Sequence, residues 1–260
     1  MTDPTLSQRE QVLSKDEWEE PNVPVSNGVF EEKYLLPQEA VSEFIRCARE
    51  HLAPDPHSDV HLGDGYAVYS LYFDDAQFRT YYSSELTRYP KYRIRRYTDE
   101  GTLFLERKSK PEGKVRKYRT IITPDELAYL LSDPPQDWDG VGFYKRLKKR
   151  QLHPVCSVSY TRMARVGTIE GQRVRFTLDR DVRCATAKEL SAPAPLPESA
   201  LELPVVIAEI KYERVLPEPF AELIARFELT AAVLSKYKRS VEALKLAPAR
   251  VASEDTHGKH

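Results

Sequence analysis

Cations recur at alternate positions along this chain. Arg93 and Arg95 do so in KYRIRRY, Lys117 and Arg119 in VRKYRT, and Arg173 and Arg175 in RVRFTLD. SYTRM pairs Tyr160 with Arg162 in the same way. Other segments set a glutamate two residues before a lysine: Glu31 and Lys33 in FEEKY, Glu106 and Lys108 in LFLERKSK, Glu209 and Lys211 in IAEIKY. Side chains two apart on a strand share a face. The intervening positions are mostly apolar: Tyr92 and Ile94, Leu103 and Leu105, Val174, Phe176 and Leu178, Ala208, Ile210 and Tyr212. Any one such strand fits an ordinary sheet with one wet face. Together, the paired Arg and Lys with glutamates beside them fit better a closed barrel with a charged interior. Its apolar outer faces would pack on helices, and its lumen would hold a polyanion.

Cations alone suit a chain of phosphates. The glutamates need a further reason, because a carboxylate beside phosphates is repelled unless a divalent cation lies between them. Mg²⁺ and Mn²⁺ take oxygen ligands and bridge carboxylate to phosphate. Glu209, Glu31 and Glu106 are therefore metal-ligand candidates; the alternative is that they neutralise neighbouring Lys or Arg. No GxxxxGK[ST], GxSxG or HExxH occurs, and glycine is scarce, at ten residues. A backbone cradle of the P-loop kind is therefore not expected. The six histidines form no ligand-spaced cluster. What remains is a cradle of side chains.

The positions of these groups depend on the elements around them. The 260 residues suit one large domain or two small ones. The formal net charge of −1 argues against a general nucleic-acid binder. That total hides an acidic N-terminus and a strongly basic stretch from Lys91 to Arg119. Cys47, Cys156 and Cys184 are far apart with no CxxC, which supports neither a disulfide framework nor a zinc ribbon and fits a reducing cytosol. No apolar run reaches the ~18 residues of a membrane span, and no signal-peptide pattern opens the chain. A cytoplasmic location is the expectation.

Residues 1–27 and 246–260 read as disordered tails, the first acidic. Strands are expected at 28–36, 66–75, 91–97, 102–110, 115–123, 154–166, 172–182 and 205–213. Helices are expected at 37–52, with Val41, Phe44, Ile45 and Ala48 on one face, and at 142–150, 217–228 and 235–244. Thr123 and Glu126 form a capping box for a short helix, and 191–204 reads as a proline-punctuated loop. The fold class is α+β, β-dominated: an antiparallel, eight-stranded, tunnel-shaped barrel with flanking helices.

FEEKY (30–34), YSLYFDD (69–75), YPKYRIRRY (89–97), LFLERKSK (103–110), SYTRM (159–163), RFTLDRDV (175–182), IAEIKY (207–212) and LSKYKRSVEAL (234–244) follow one another in the order seen in VTC domains. The chain resembles these polyphosphate polymerase domains of the triphosphate tunnel metalloenzyme (CYTH-like) superfamily over roughly residues 28–245. The resemblance implies transfer of the γ-phosphate of ATP to a growing polyphosphate chain, with Mn²⁺ or Mg²⁺. It implies phosphate-binding roles for Lys33, Arg93, Arg95, Lys108, Lys117, Arg162, Arg175 and Lys236. Arg119, Tyr160, Lys211 and Ser235 are further substrate-binding candidates, and Glu209 matches the metal-binding carboxylate. Many relatives carry Arg where this chain has Val29. The SPX-type regulatory domain and membrane spans of eukaryotic relatives are not seen, so the chain reads as a free-standing catalytic domain of prokaryotic type.

ATP and inorganic polyphosphate are the expected partners; nucleic acid is not. The rival readings are a tunnel triphosphatase acting on a nucleoside triphosphate or tripolyphosphate, and a non-catalytic polyphosphate-binding module. The first would use a tunnel glutamate to activate water.

Overall fold

The computed structural model describes residues 29–56, 64–83, 89–98, 101–109 and 116–248. The two expected tails lie almost wholly outside these residues. Leu246 and Ala247, at the start of the second, pack on the interior.

Ten antiparallel strands form one sheet: β1 (Phe30–Leu36), β2 (Ala53–Pro54), β3 (Gly65–Asp74), β4 (Lys91–Tyr97), β5 (Leu103–Ser109), β6 (Arg116–Ile122), β7 (His153–Ile169), β8 (Gln172–Thr186), β9 (Leu201–Leu203) and β10 (Val206–Tyr212). The main path runs β1-β10-β8-β7-β3-β4-β5-β6, with β2 beside β7 and β9 beside β8. β9 is a short strand inside the expected proline loop. Eight strands make the main path, as the tunnel reading requires. The flanking strands β1 and β6 do not hydrogen-bond to each other among the described residues, so the barrel is curled rather than closed. The curl still brings the flanks together, since Lys108 on β5 lies 3.9 Å from Glu31 on β1.

Helices cover the outside, as the apolar alternation demands. α1 (Gln38–His51) and α3 (Glu218–Arg226) lie on the outer face of β1, β10 and β8, where Phe44, Phe176 and Phe220 stack at centroid distances of 5.2–6.4 Å. α2 (Val141–Arg150) covers β3–β6, burying Tyr92, Ile94, Leu103 and Leu105 against Phe143 and Leu147. The capping box forms as expected: Thr123 N donates to Glu126 at 2.7 Å and Glu126 N to Thr123 Oγ at 3.4 Å. The element it opens, Asp125–Leu130, is a 3₁₀ helix.

α4 (Lys236–Ala243) behaves differently. Tyr237 and Val241 join Tyr72, Val158, Tyr160, Val182 and Cys184 in a cluster on the concave side. A bulge makes this possible. The β7–β8 register shifts between Ser159 and Thr161, where Asp181 adopts φ 54°. That extra residue flips the phase of β8. Before it the inward residues are Arg175, Thr177 and Asp179; after it they are Val182 and Cys184. The concave face is therefore charged along one stretch and apolar along the next, and α4 seats on the apolar part.

Candidate active site

The concave face collects the alternating charges. β4 and β5 pair Arg93 with Glu106, and β5 and β6 pair Glu106 with Arg119. Glu106 accepts from Arg119 Nε at 3.0 Å and Nη2 at 2.6 Å, contacts Arg93 closely, and lies 3.8 Å from Arg95. Arg95 is only 5% exposed and donates to Ser70 Oγ, Tyr97 OH and Tyr160 OH at 3.2–3.3 Å. Arg93 donates to Tyr72 OH at 3.3 Å. Burial alone would push the Glu106 carboxyl up. Arg93, Arg95 and Arg119 outweigh it and hold the group well below the usual carboxylate range.

A second cluster joins β7, β8 and α4. Arg162 donates twice to Asp179, at 2.6 and 2.8 Å, and Lys236 contacts the same carboxylate. Burial raises the Asp179 carboxyl, but Arg162 and Lys236 bring it down to about 2. Lys236 Nζ sits 4.4 Å from the centroid of the Tyr160 ring, a cation–π contact. Arg175 pairs with Asp55 at 3.1 Å.

The β1–β10 wall is a checkerboard. Its register sets Glu31 opposite Lys211 and Lys33 opposite Glu209. Glu209 lies 3.0 Å from Lys33 and 3.2 Å from Lys211; Glu31 contacts Lys33 and lies 3.7 Å from Lys211. Burial raises Glu209, yet Lys211 and Lys33 hold it well below its usual range. Lys33 is pushed down to about 8, chiefly by burial.

Next to the Glu106 cluster lies a row of lysines: Lys91 is in register with Lys108, and Lys108 with Lys117. Lys91 donates to Ser235 Oγ, the N-cap of α4, at 2.9 Å. Burial, then the charges of Lys108, Lys238, Arg93 and Lys33, push Lys91 down to about 8.

Every site residue expected from the sequence thus faces the concave side or starts α4. Sequence reasoning passed over Lys91, although alternation already set it on the face of Arg93 and Arg95. Asp179 follows the alternation of Arg173 and Arg175 in RVRFTLD, but nothing there marks it as the partner of Arg162 and Lys236. Nothing in the sequence around Asp55 ties it to Arg175, 120 residues away.

The three candidate metal carboxylates are all ion-paired here. No group of three His, Cys, Asp or Glu side chains converges among the described residues. An all-protein metal cage is therefore not built. Mg²⁺-type ions do not need one, because they commonly bind through one or two carboxylates plus substrate phosphates. Glu209 and Glu31, carboxylate oxygen donors on adjacent strands, suit that mode. Glu106 suits it less, being enclosed by three arginines.

A family model for the VTC domain matches residues 29–245. The chain belongs to the VTC domain family. That places it in the triphosphate tunnel metalloenzyme superfamily, whose members are phosphoryl-transfer enzymes that depend on a divalent metal. Among solved structures, it is similar to a candidate adenylate cyclase from Bacillus halodurans, at 16% identity, with 80% of this chain and 94% of that one covered and a TM-score of 0.45. The PH1819 protein from Pyrococcus horikoshii OT3 is similar at 14% identity, 83% and 99% coverage and TM-score 0.45. A Hippeastrum protein, a candidate adenylyl cyclase that reveals a dominant triphosphatase activity, is similar at 15% identity, 82% and 95% coverage and TM-score 0.41. Likenesses this distant carry no weight for the activity of the VTC chain. No curated protein matches it. No helix among its described residues is long and apolar enough to cross a membrane.

Proposed function

We propose that this VTC domain is a polyphosphate polymerase, transferring the γ-phosphate of ATP to the end of an inorganic polyphosphate chain. The observation that carries the reading is the gathering of fixed positive charge on the concave face: Arg93, Arg95 and Arg119 converge on the carboxylate of Glu106. Phosphoryl transfer needs positioning and charge stabilisation more than covalent chemistry. Arg forks bind two phosphate oxygens at once. In this reading Arg93, Arg95, Arg119, Arg162 and Arg175 orient the triphosphate, and Lys33, Lys108, Lys117, Lys211 and Lys236 spread charge over the remaining oxygens. Ser235 and Tyr160 shape the wall at the start of α4. A divalent cation held by Glu209, with Glu31 as second carboxylate, supplies Lewis-acid neutralisation of phosphoryl oxygens when bound.

The acceptor is the terminal phosphate oxygen of the polymer, already anionic at neutral pH. It forms the new bond to the γ-phosphorus as the bond to the β-phosphate oxygen breaks and ADP leaves. No general base is required. Glu106 and Glu209, held well below the usual carboxylate range, make weak bases, which favours transfer to phosphate over activation of water.

The test incubates pure protein with ATP and Mn²⁺, resolves polyphosphate on a gel and assays free phosphate in parallel. Polymer with ADP, lost in Glu209→Ala, is expected. Free phosphate without polymer would replace the reading with a triphosphatase. Tight polyphosphate binding with neither product would leave a binding module.

A further inference from the structure

Thr177 lies in the inward row of β8, between Arg175 and Asp179. Its chain neighbours Phe176 and Leu178 belong to the outer layer under α1 and α3, so period two turns the Thr177 side chain to the concave face. Both inward neighbours are paired, Arg175 with Asp55 and Asp179 with Arg162 and Lys236. Thr177 differs. It is 1% exposed, and its hydroxyl has no hydrogen-bond partner among the described residues. A buried hydroxyl left unpaired costs stability. Valine has the same shape without that cost, and strands favour it equally. Such an orphan calls for an explanation from the site around it.

Register supplies one. Thr177 lies opposite Ala164 on β7 and opposite Glu209 on β10, and of the two side chains only Glu209 carries an acceptor. Residues directly opposite have Cβ atoms about 5 Å apart, close enough for a hydrogen bond between a hydroxyl and a carboxylate. Glu209 instead turns to Lys33 and Lys211, at 3.0 and 3.2 Å. An ionised carboxylate has about four acceptor sites, so two contacts leave room for a third donor. The kind of donor matters when a divalent cation approaches. Ammoniums and the cation repel one another, so the lysine contacts weaken as it binds. A neutral hydroxyl donates without that repulsion. We propose that Thr177 is a positioning residue for the divalent cation: its hydroxyl donates to the Glu209 carboxylate and holds it toward the metal in place of Lys33 and Lys211. It acts through Glu209, as the outer partners of metal-binding carboxylates do, and is not itself a ligand. This inference rests on the reading of Glu209 as the metal carboxylate.

The experiment follows free Mn²⁺ by electron paramagnetic resonance as the ion is titrated into wild type, Thr177→Val, Thr177→Ser and Glu209→Gln, with thermal melts of each metal-free protein. Thr177→Val is expected to weaken Mn²⁺ binding by about tenfold or more. Its metal-free Tm should equal or exceed that of wild type, because an unpaired buried hydroxyl is gone. Thr177→Ser keeps the donor and should bind Mn²⁺ within about threefold of wild type. Unchanged Mn²⁺ binding in Thr177→Val would overturn the proposal, and a lower metal-free Tm beside it would make the hydroxyl structural. Equal losses in the Val and Ser variants would also overturn it, by assigning the effect to packing. If Thr177→Val does not melt cooperatively, Thr177→Ala is read in its place for Mn²⁺ binding. Glu209→Gln separates the two levels. Affinity lost there but kept in Thr177→Val removes only the role of Thr177, whereas affinity kept in Glu209→Gln takes the metal from this wall and the role of Thr177 with it.

Discussion

The β1–β10 wall and the β4–β6 wall share the same two-residue alternation of charged side chains, yet register makes them electrostatically different. On β1–β10 each lysine faces a glutamate, so Glu31, Lys33, Glu209 and Lys211 balance one another. On β4–β6 the pairing is uneven: one row sets Glu106 between two arginines, and the next aligns three lysines. The first wall alternates in sign along its strands and across them. The second sets cation beside cation in its lysine row. Pairing order is what separates the two.

The strongest way to break this contrast is to remove the Glu106 carboxylate from the β4–β6 wall. Glu106→Gln leaves Arg93, Arg95 and Arg119 without their shared counter-ion, which should cost about 3–5 kcal/mol. Thermal melts should show the loss and, by mass action, its recovery with tripolyphosphate. A Tm equal to wild type would mean the arginines are not held by Glu106. Removing a fork instead should spare the fold and hit the chemistry: Arg93→Met is expected to lower kcat/KM by about 10²–10³. If the fold collapses while the remaining folded fraction turns over normally, Arg93 belongs to the packing and not to the site.

The balanced wall should respond otherwise. In Glu209→Gln, Lys33 and Lys211 keep Glu31 as partner, so melting should shift less than in Glu106→Gln. The Mn²⁺ activation curve should move to higher metal by about tenfold or more. An unmoved curve would take the metal away from this wall.

The pH dependence sharpens the comparison further. Lys91 and Lys33 sit near 8 in the fold against an ordinary 10.5. Between about pH 8 and 10.5 the unfolded chain therefore binds more protons than the folded one, and ligand-free stability should rise with pH. Anion binding needs the ammoniums, so polyphosphate affinity should fall through the same window. Parallel trends in melting and titration would show that these lysines do not govern binding. The smallest effect expected is at the start of α4. Ser235→Ala removes the N-cap acceptor for Lys238 N, worth about 1 kcal/mol, and should lower Tm by a few degrees with a modest loss of affinity.

The alternation was legible wherever a strand runs unbroken. Ile94 and Tyr92 lie in the outer layer under α2, and Arg93 and Arg95 point inward, as period two requires. The helices under which the outer faces hide were equally legible, because Phe44 and Ala48 recur at helical spacing. The β7–β8 bulge was not. Its extra residue reverses which side chains of β8 face inward; the charge run Asp179-Arg180-Asp181 interrupts the alternation of RFTLDRDV, but it does not say which faces the phase change will bring inward. The inward seat of α4 follows from that reversal, so it was hidden too.

The sequence by itself determined the set of charged side chains that share a face within each strand, since side-chain direction along a strand is a local property of the backbone. Only the tertiary structure decided which of those faces meet. Lys91 aligns with Lys108 and Lys117, Asp179 gathers Arg162 and Lys236, and Asp55 reaches Arg175. Register between strands is fixed by long-range packing and bulges, and a charge acquires its function from the partner that register places opposite it.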